Sequence, residues 1–336
     1  MIKKHIVIFS AVISLLFISV IWQVAESHIH NGLMQVSAKL FGKPLSQIAS
    51  FDESGIPMRS LGKKESHYDP LLVARAAHEA NLHRQLSGGN DADFLLLTDW
   101  LLAQINETDS TCFIDYRFDL PEYGQKAPWQ SALSQAALMN VLAARAGMQR
   151  DLNIYSKAQR TLNTLSPKAA GLSFALSDSS YWYMQYPSPE PDYVLSGMIN
   201  VLLELHRYYD QTNYPLAKTL YDNGMRALKQ KLPEFDYHGY SYYDLKGHKA
   251  SRGQHQAHIK LLSKVLEFGE DSQILQMRNR WQKADSYPVF WQMMMVPQPL
   301  RILAYVLALL AMWLISYLLL SAPQRKVPDD PEHSSS

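Results

Sequence analysis

Apolar residues recur every three or four positions over long parts of this chain, the spacing of one buried helix face, and they do so in pairs of segments. Residues 71–86 form the first predicted helix, stopped at Ser87-Gly88-Gly89, and residues 92–105 form its antiparallel mate. A second pair covers 131–146 and 152–165, with Pro128 in a permitted first-turn position, Gly147 as a stop and Asp151 as an N-cap. Residues 194–209 and 214–232 make the third pair, and 254–268 with 272–284 the last. Elsewhere the period changes. Residues 111–126 alternate apolar with polar before breaking at Pro121 and Gly124, which predicts a short strand and a loop, and 173–176 also read as strand. Residues 51–70 are turn formers and charges, hence surface loop with a short hairpin. Helix pairs separated by loops with aromatics predict a mainly α fold, an incomplete α/α toroid with short β elements and its loops gathered at one end. No repeat of fixed period is present, which argues against a solenoid.

Two segments lack polar breaks. Residues 6–25 and 302–321 carry no charge and have the length of about 20 residues that a membrane-spanning helix needs. The first ends at Gln23-Val24-Ala25-Glu26, a poor cleavage site, so an uncleaved anchor is the expectation and a cleaved signal peptide the alternative. Lys3 and Lys4 precede it and no Lys or Arg follows until Lys39, which places the N-terminus in the cytoplasm. The resulting plan is an anchor at 1–26, a stalk at 27–50, a helical domain at 51–285, a linker at 286–301, a second transmembrane helix at 302–321 and a disordered cytoplasmic tail at 322–336. The central domain would then be exocytoplasmic, periplasmic if the membrane is a Gram-negative inner membrane.

Composition narrows the chemistry. A net charge of +1 over 336 residues provides no footprint for nucleic acid. Cys112 is the single cysteine, which excludes a disulfide framework or multi-cysteine metal site and reads as a buried apolar residue. His255 and His258 share a helix face, but no third ligand is evident and HExxH is absent, so no metal is expected and these read as structural or substrate-contacting histidines. Phosphate loops, GxSxG and dinucleotide fingerprints are also missing.

What remains is an unusual density of aromatics in two loops, YWYMQYPSPEPDYVLSG at 181–197 and FDYHGYSYYDLKGH at 235–248, the first stiffened by Pro187, Pro189 and Pro191. Trp182, Tyr193, Phe235 and Tyr237 read as packing rings. Together with SGIPMRSL, HYDPLLVARAAHEANLHRQLSGG, LTDWLL, YGQKAPWQSALSQA and HQAHIKLL, these loops resemble the C-terminal domain of the D-glucuronyl C5-epimerases of heparan sulfate and heparosan, over about residues 51–283. The resemblance implies cofactor-free epimerisation of glucuronate within a polysaccharide; with the two apolar segments, which lie outside it, the expected partners are a uronic-acid exopolysaccharide, the membrane and polymer synthesis or export machinery. Tyr186 and Tyr243 match family catalytic tyrosines. Where the family has glutamate, a third important tyrosine, arginine and asparagine, this chain has Gln185, Gln254, Lys246 and Ser196. The chemistry is then reassigned, with His255 or His238 as second base, or lost. Expected catalytic residues are Tyr186, Tyr243 and His255, and expected substrate contacts are Gln185, Lys246, Gln254, His258, Trp129 and Gln135. A non-catalytic uronan-binding or scaffold protein and a uronate lyase are the alternative functions.

Overall fold

The computed structural model describes residues 5–22, 49–60, 65–88, 90–167, 169, 171–287, 289–295 and 299–321. The expected tail, and all but the last two residues of the expected stalk, lie outside this set. Helix α1 (His5–Trp22) groups with the residues from Tyr287 onward in one compact unit, and Phe41–Ser286 form another.

The central unit opens with a sheet rather than a loop with one hairpin. Strands β1 (Ala49–Phe51), β2 (Pro57–Ser60) and β3 (Ser66–Tyr68) pair antiparallel in sequence order, with Arg59 opposite His67. Paired residues project to one face, so these two side chains travel together. Asp69 then caps α2 (Pro70–Ser87), its carboxylate accepting from Leu71 N at 2.9 Å and Leu72 N at 3.2 Å. Helix α3 (Ala92–Gln104) returns, and β4 (Asn106–Glu107) pairs with β5 (Cys112–Phe113). Pro128 does not start a helix: Trp129 first bridges to Tyr116 in extended conformation, and α4 (Ala132–Gln149) begins three residues later. Nor does Gly147 end α4, which runs on to a left-handed Arg150 (φ 55°).

Helix α5 (Leu152–Asn163) is capped by Asp151, as its position suggested. Strands β6 (Ser173–Ser177) and β7 (Ser180–Tyr183) form a hairpin, so the first three aromatics of the stiff loop are strand residues. Helices α6 (Leu195–Thr212) and α7 (Pro215–Lys231) follow. A second hairpin, β8 (Asp236–Tyr237) and β9 (Tyr240–Ser241), turns on His238 and Gly239, both at positive φ (53° and 93°), the geometry of a two-residue primed turn. Helices α8 (Arg252–Leu266) and α9 (Ser272–Asp285) close the unit.

Helices pack in the sequential pairs α2–α3, α4–α5, α6–α7 and α8–α9, and the first members also touch in a row, α2–α4–α6–α8. This is a two-layer arc with even-numbered helices inside. Its sequence signature is plain: α4 is buried almost all round from Ala132 to Ala146, whereas outer α5 buries one stripe, Ile154, Ala158, Thr161 and Leu162. The fold is thus mainly α, with helix pairs and short β elements as expected.

In the other unit, α10 (Val289–Met295) precedes α11 (Pro299–Ser321). Helices α1 and α11 run antiparallel: Ser14 Oγ donates to Ser316 Oγ at 3.1 Å, and Ser19 Oγ meets the Tyr305 hydroxyl at 2.9 Å. Trp22 packs edge-on to Tyr305 at 5.3 Å, and Ile18 and Met293 complete a small core. Both helices are long and apolar enough to cross a membrane, and Phe9, Leu16, Phe17, Leu310, Leu314 and Leu318 are exposed on them.

Candidate active site

A cleft of about 970 Å³ opens at the N-terminal ends of the inner helices. Leu71 and Arg75 of α2, Leu133 of α4, Ser196, Gly197 and Asn200 of α6, and one face of α8 line it. Residues 118–123, Gln185, Tyr186 and Tyr243 come from the loops, and Arg59 and His67 from the sheet.

Hydrogen bonds hold the loops in place. The single Gln125 amide donates to Tyr123 O and to Pro187 O, both at 2.9 Å, tying the 121–130 loop to the 184–194 loop. Ala132 N donates to Met184 O at 3.0 Å, and Leu195 N to Tyr243 O at 3.1 Å, so the start of α4 holds the second of these loops and the start of α6 a third, around Tyr243. Buried Asp244 closes the third loop by accepting from Lys246 N and His248 N at 3.1 and 3.2 Å. As a result Tyr123 stacks on Tyr186 with ring centres 3.8 Å apart. Gln185 Nε2 donates to the Tyr186 hydroxyl at 3.0 Å, and Tyr243 lines the same cleft.

Burial pushes Tyr123, Tyr186 and Tyr243 well above the ordinary phenol value. For Tyr186 the neighbouring Tyr123 adds to that rise and the Arg59 guanidinium opposes it. Arg59 itself pairs at 2.5 Å with the fully buried Asp69, so a helix cap also positions a cleft cation. Arg75, Lys260 and Lys264 add exposed positive charge, against Glu65, Asp119 and Glu122. Of these acids, Asp119 is engaged by Lys126 at 3.0 Å and by Ala127 N at 2.9 Å.

Of the residues singled out from sequence, Tyr186, Tyr243, Gln185 and Gln254 line this cleft. Gln254 has a second duty: it is the N3 residue of a capping box, its Oε1 accepting from Ser251 N at 2.8 Å. The others lie elsewhere. His255 and His258 are fully buried on the opposite face of α8, both against Ser241 Oγ, at 3.0 and 2.8 Å. Because Ser241 N–H also donates to His255 Nδ1 at 3.1 Å, that nitrogen has no lone pair to offer a substrate. His238 is an exposed turn residue. Lys246 is drawn out of the cleft by buried Asp192, 2.5 Å away. Trp129 is buried behind the tyrosines, stacked on Tyr116 at 4.0 Å with Nε1 donating to Phe118 O. Gln135 clamps the backbone of Ile114, accepting from its N at 3.1 Å and donating to its O at 2.8 Å.

Sequence reasoning missed Arg59, His67, Arg75, Tyr123, Lys260 and Lys264. The α8 residues had a usable signal, since Gln254, Ala257, Lys260, Leu261 and Lys264 repeat at helical spacing, one step round from buried His255, His258, Leu262 and Val265.

Inner and outer helices, with tyrosines and cations gathered in one cleft, define the class as a two-layer α/α domain carrying a cleft suited to anions. Residues 108–283, just over half of the chain, match the family model described as D-glucuronyl C5-epimerase C-terminus, and the chain belongs to that family. It is 28% identical over 204 residues to an uncharacterized protein of Methanocaldococcus jannaschii, an alignment covering 56% of this chain and 66% of that one. A D-glucuronyl C5-epimerase of Caenorhabditis elegans is 24% identical over 214 residues, covering 56% of this chain and 34% of the relative. The chain therefore spans less than two thirds of either relative. Among solved structures, a GH76 α-mannanase of Bacteroides thetaiotaomicron is similar with a TM-score of 0.44 and 10% identity, over 83% of this chain and 73% of that one.

Proposed function

We propose that this protein is a uronate C5-epimerase acting on a polysaccharide, with residues 51–285 as its catalytic domain. The observation that carries the reading is the pair Tyr186 and Tyr243, brought from two loops into one cation-lined cleft. Breaking the C5–H bond leaves an electron pair that delocalises into the neighbouring carboxylate, and the resulting dianion needs positive charge close by. Arg59, Arg75, Lys260 and Lys264 supply it, in place of Lys246. Tyr186, as phenolate, takes the proton, Tyr243 returns one to the other face, and the carbon is inverted without net change in protons. Helices α1 and α11 anchor the domain, with both termini cytoplasmic and the domain outside.

The test is deuterium incorporation at C5 of heparosan-like and other uronans, read by NMR with the full-length protein in detergent. Wild type incorporates label, and Tyr186→Phe lowers the rate by about 10²-fold or more, the scale of a lost general base, while affinity stays within a few-fold because the ring remains. A wild type that binds a uronan and never exchanges C5 is a binding protein, a reading favoured by the glutamines at 185 and 254. Absorbance from unsaturated ends identifies a lyase instead.

A further inference from the structure

We infer that a second cavity, beside the cleft, is a carbohydrate subsite that takes a neutral sugar unit of the same chain whose uronate lies at Tyr186. This deepens the epimerase reading and rests on it for the polymer, though not for the cavity. The cavity holds about 360 Å³, within the range of small-ligand sites, about 300–1,000 Å³. His67 and Phe118, with ring centres 5.2 Å apart, line both it and the cleft, so the two spaces share a wall.

One short strand serves both sides of that wall. Successive residues of β3 point to opposite faces, so His67, opposite Arg59, goes with the cleft, while Tyr68, opposite Met58, goes with the second cavity. Trp100 of α3 meets Tyr68 there with ring centres 5.2 Å apart and planes at 42°, a shallow V. Tyr68 is 40% exposed, yet its ring is held, because its hydroxyl donates to Asp52 Oδ2 at 2.7 Å. A fixed, exposed ring is a surface to stack on. A pyranose brings a face of C–H bonds to such rings and an edge of hydroxyls to whatever polar groups stand beside them.

Those polar groups are present. Ser66, Gln104, Asp115 and Arg117 line the cavity with Tyr68 and Trp100. Asn106 Nδ2 donates to Asp115 Oδ2 at 2.9 Å, which fixes the carboxylate and leaves Oδ1 without a partner among the described residues. Arg117 is exposed and likewise makes no ion pair among them. One carboxylate and one guanidinium cancel, whereas Arg59, Arg75, Lys260 and Lys264 give the cleft its cations. An acidic sugar would meet the Asp115 charge, while a neutral one finds both donors and an acceptor for its hydroxyls.

The experiment compares a heparosan disaccharide with a heparosan dodecasaccharide, binding each to the full-length protein in detergent by calorimetry and following C5 exchange of both. Wild type should bind the long chain more tightly. Trp100→Ala should lower that affinity about tenfold, the loss of one stacking ring, and raise KM in proportion, with kcat and disaccharide binding unchanged. Gln104→Ala should lower it about fivefold, the worth of one net hydrogen bond. Gln104 stands at the end of α3 and makes no side-chain hydrogen bond among the described residues, so its variant keeps the fold even if the loss of Trp100 unsettles the helix. Unchanged long-chain affinity in Gln104→Ala overturns the inference, as does an equal loss for both lengths, which would mean that the effect passes through the shared wall. Failure of wild type to bind the dodecasaccharide overturns it too. A length-dependent loss in a protein that never exchanges C5 upholds the subsite and sinks the epimerase reading alone.

Discussion

Ser241 lies between two histidines that titrate abnormally because they are buried. Loss of hydration, aided by the neighbouring His255, holds His258 neutral down to a pKa of about 3, and burial lowers His255 as well. In the unfolded chain both recover the ordinary value of about 6.5. Below that pH the unfolded chain binds protons that the native one refuses. The stabilisation from neutral His258 is therefore complete above about pH 6.5 and is lost as pH falls toward about 3, at about 1.4 kcal/mol per pH unit. Urea unfolding at pH 7.5, 6 and 5 should show this fall, and His258→Gln should reduce its slope by up to one proton. An unaltered slope would mean that His258 already carries a proton in the native state. These residues also mark a limit of the sequence. Spacing puts 255 and 258 on one face of a helix, but not on which side of the domain, and only the hydrogen bonds to Ser241 decide that it is the core side. Tyr186 and Tyr243 were legible through the motif around them. Tyr123, in a short turn of ordinary composition, had no such frame.

Elements divide along the same line. The helices announced themselves by period and by caps such as Asp151. The opening sheet did not, because strands such as SHY and PMRS are too short and too polar to show alternation, and Arg59 and His67 were hidden with it. Inner and outer helices are separated by how closely backbones approach. At Gly224 of α7 a Cβ would lie 2.5 Å from Leu202 Cδ2 on α6 and 2.7 Å from Tyr183 Cε2 on β7. Gly224→Ala should thus destabilise the domain by about 1–3 kcal/mol through overpacking, despite the better helix propensity of alanine. Chemical denaturation checks it, and a stabilised variant would mean that α6 and α7 are not packed this tightly. Gly197→Ala makes a sharper contrast. The three atoms nearest its added carbon all belong to Gln185, so C5 exchange should fall by an order of magnitude or more while the unfolding midpoint changes little. Equal losses of stability and exchange would instead assign Gly197 to the packing of α6.

At the scale of the whole chain, the two apolar helices come from opposite ends of the sequence and are joined side by side. Their antiparallel course brings residue 14 to residue 316 and residue 19 to residue 305. Neither serine contact is a feature that hydropathy could forecast, since both serines count only as tolerated polar positions in an apolar run. In a bilayer, where a hydroxyl has no water to bond, these pairs fix the helix faces that meet. A Ser14→Cys, Ser316→Cys variant should accordingly form a disulfide on mild oxidation in isolated membranes, with the buried Cys112 the only native thiol. Cleaving the central domain by protease should then leave the two terminal fragments linked until reductant is added. A Leu16→Cys, Leu319→Cys pair, exposed on both helices and out of that register, tests whether linkage is specific. If only the first pair links, an antiparallel hairpin places both chain ends on one side, and alkaline phosphatase fused after Asn106 should be active if that side is the cytoplasm, the orientation that positive charge at Lys3 and Lys4 favours. A phosphatase inactive there, with the disulfide formed, would keep the hairpin and invert it. The cleft would then face the cytoplasm, and a substrate outside the cell would be ruled out.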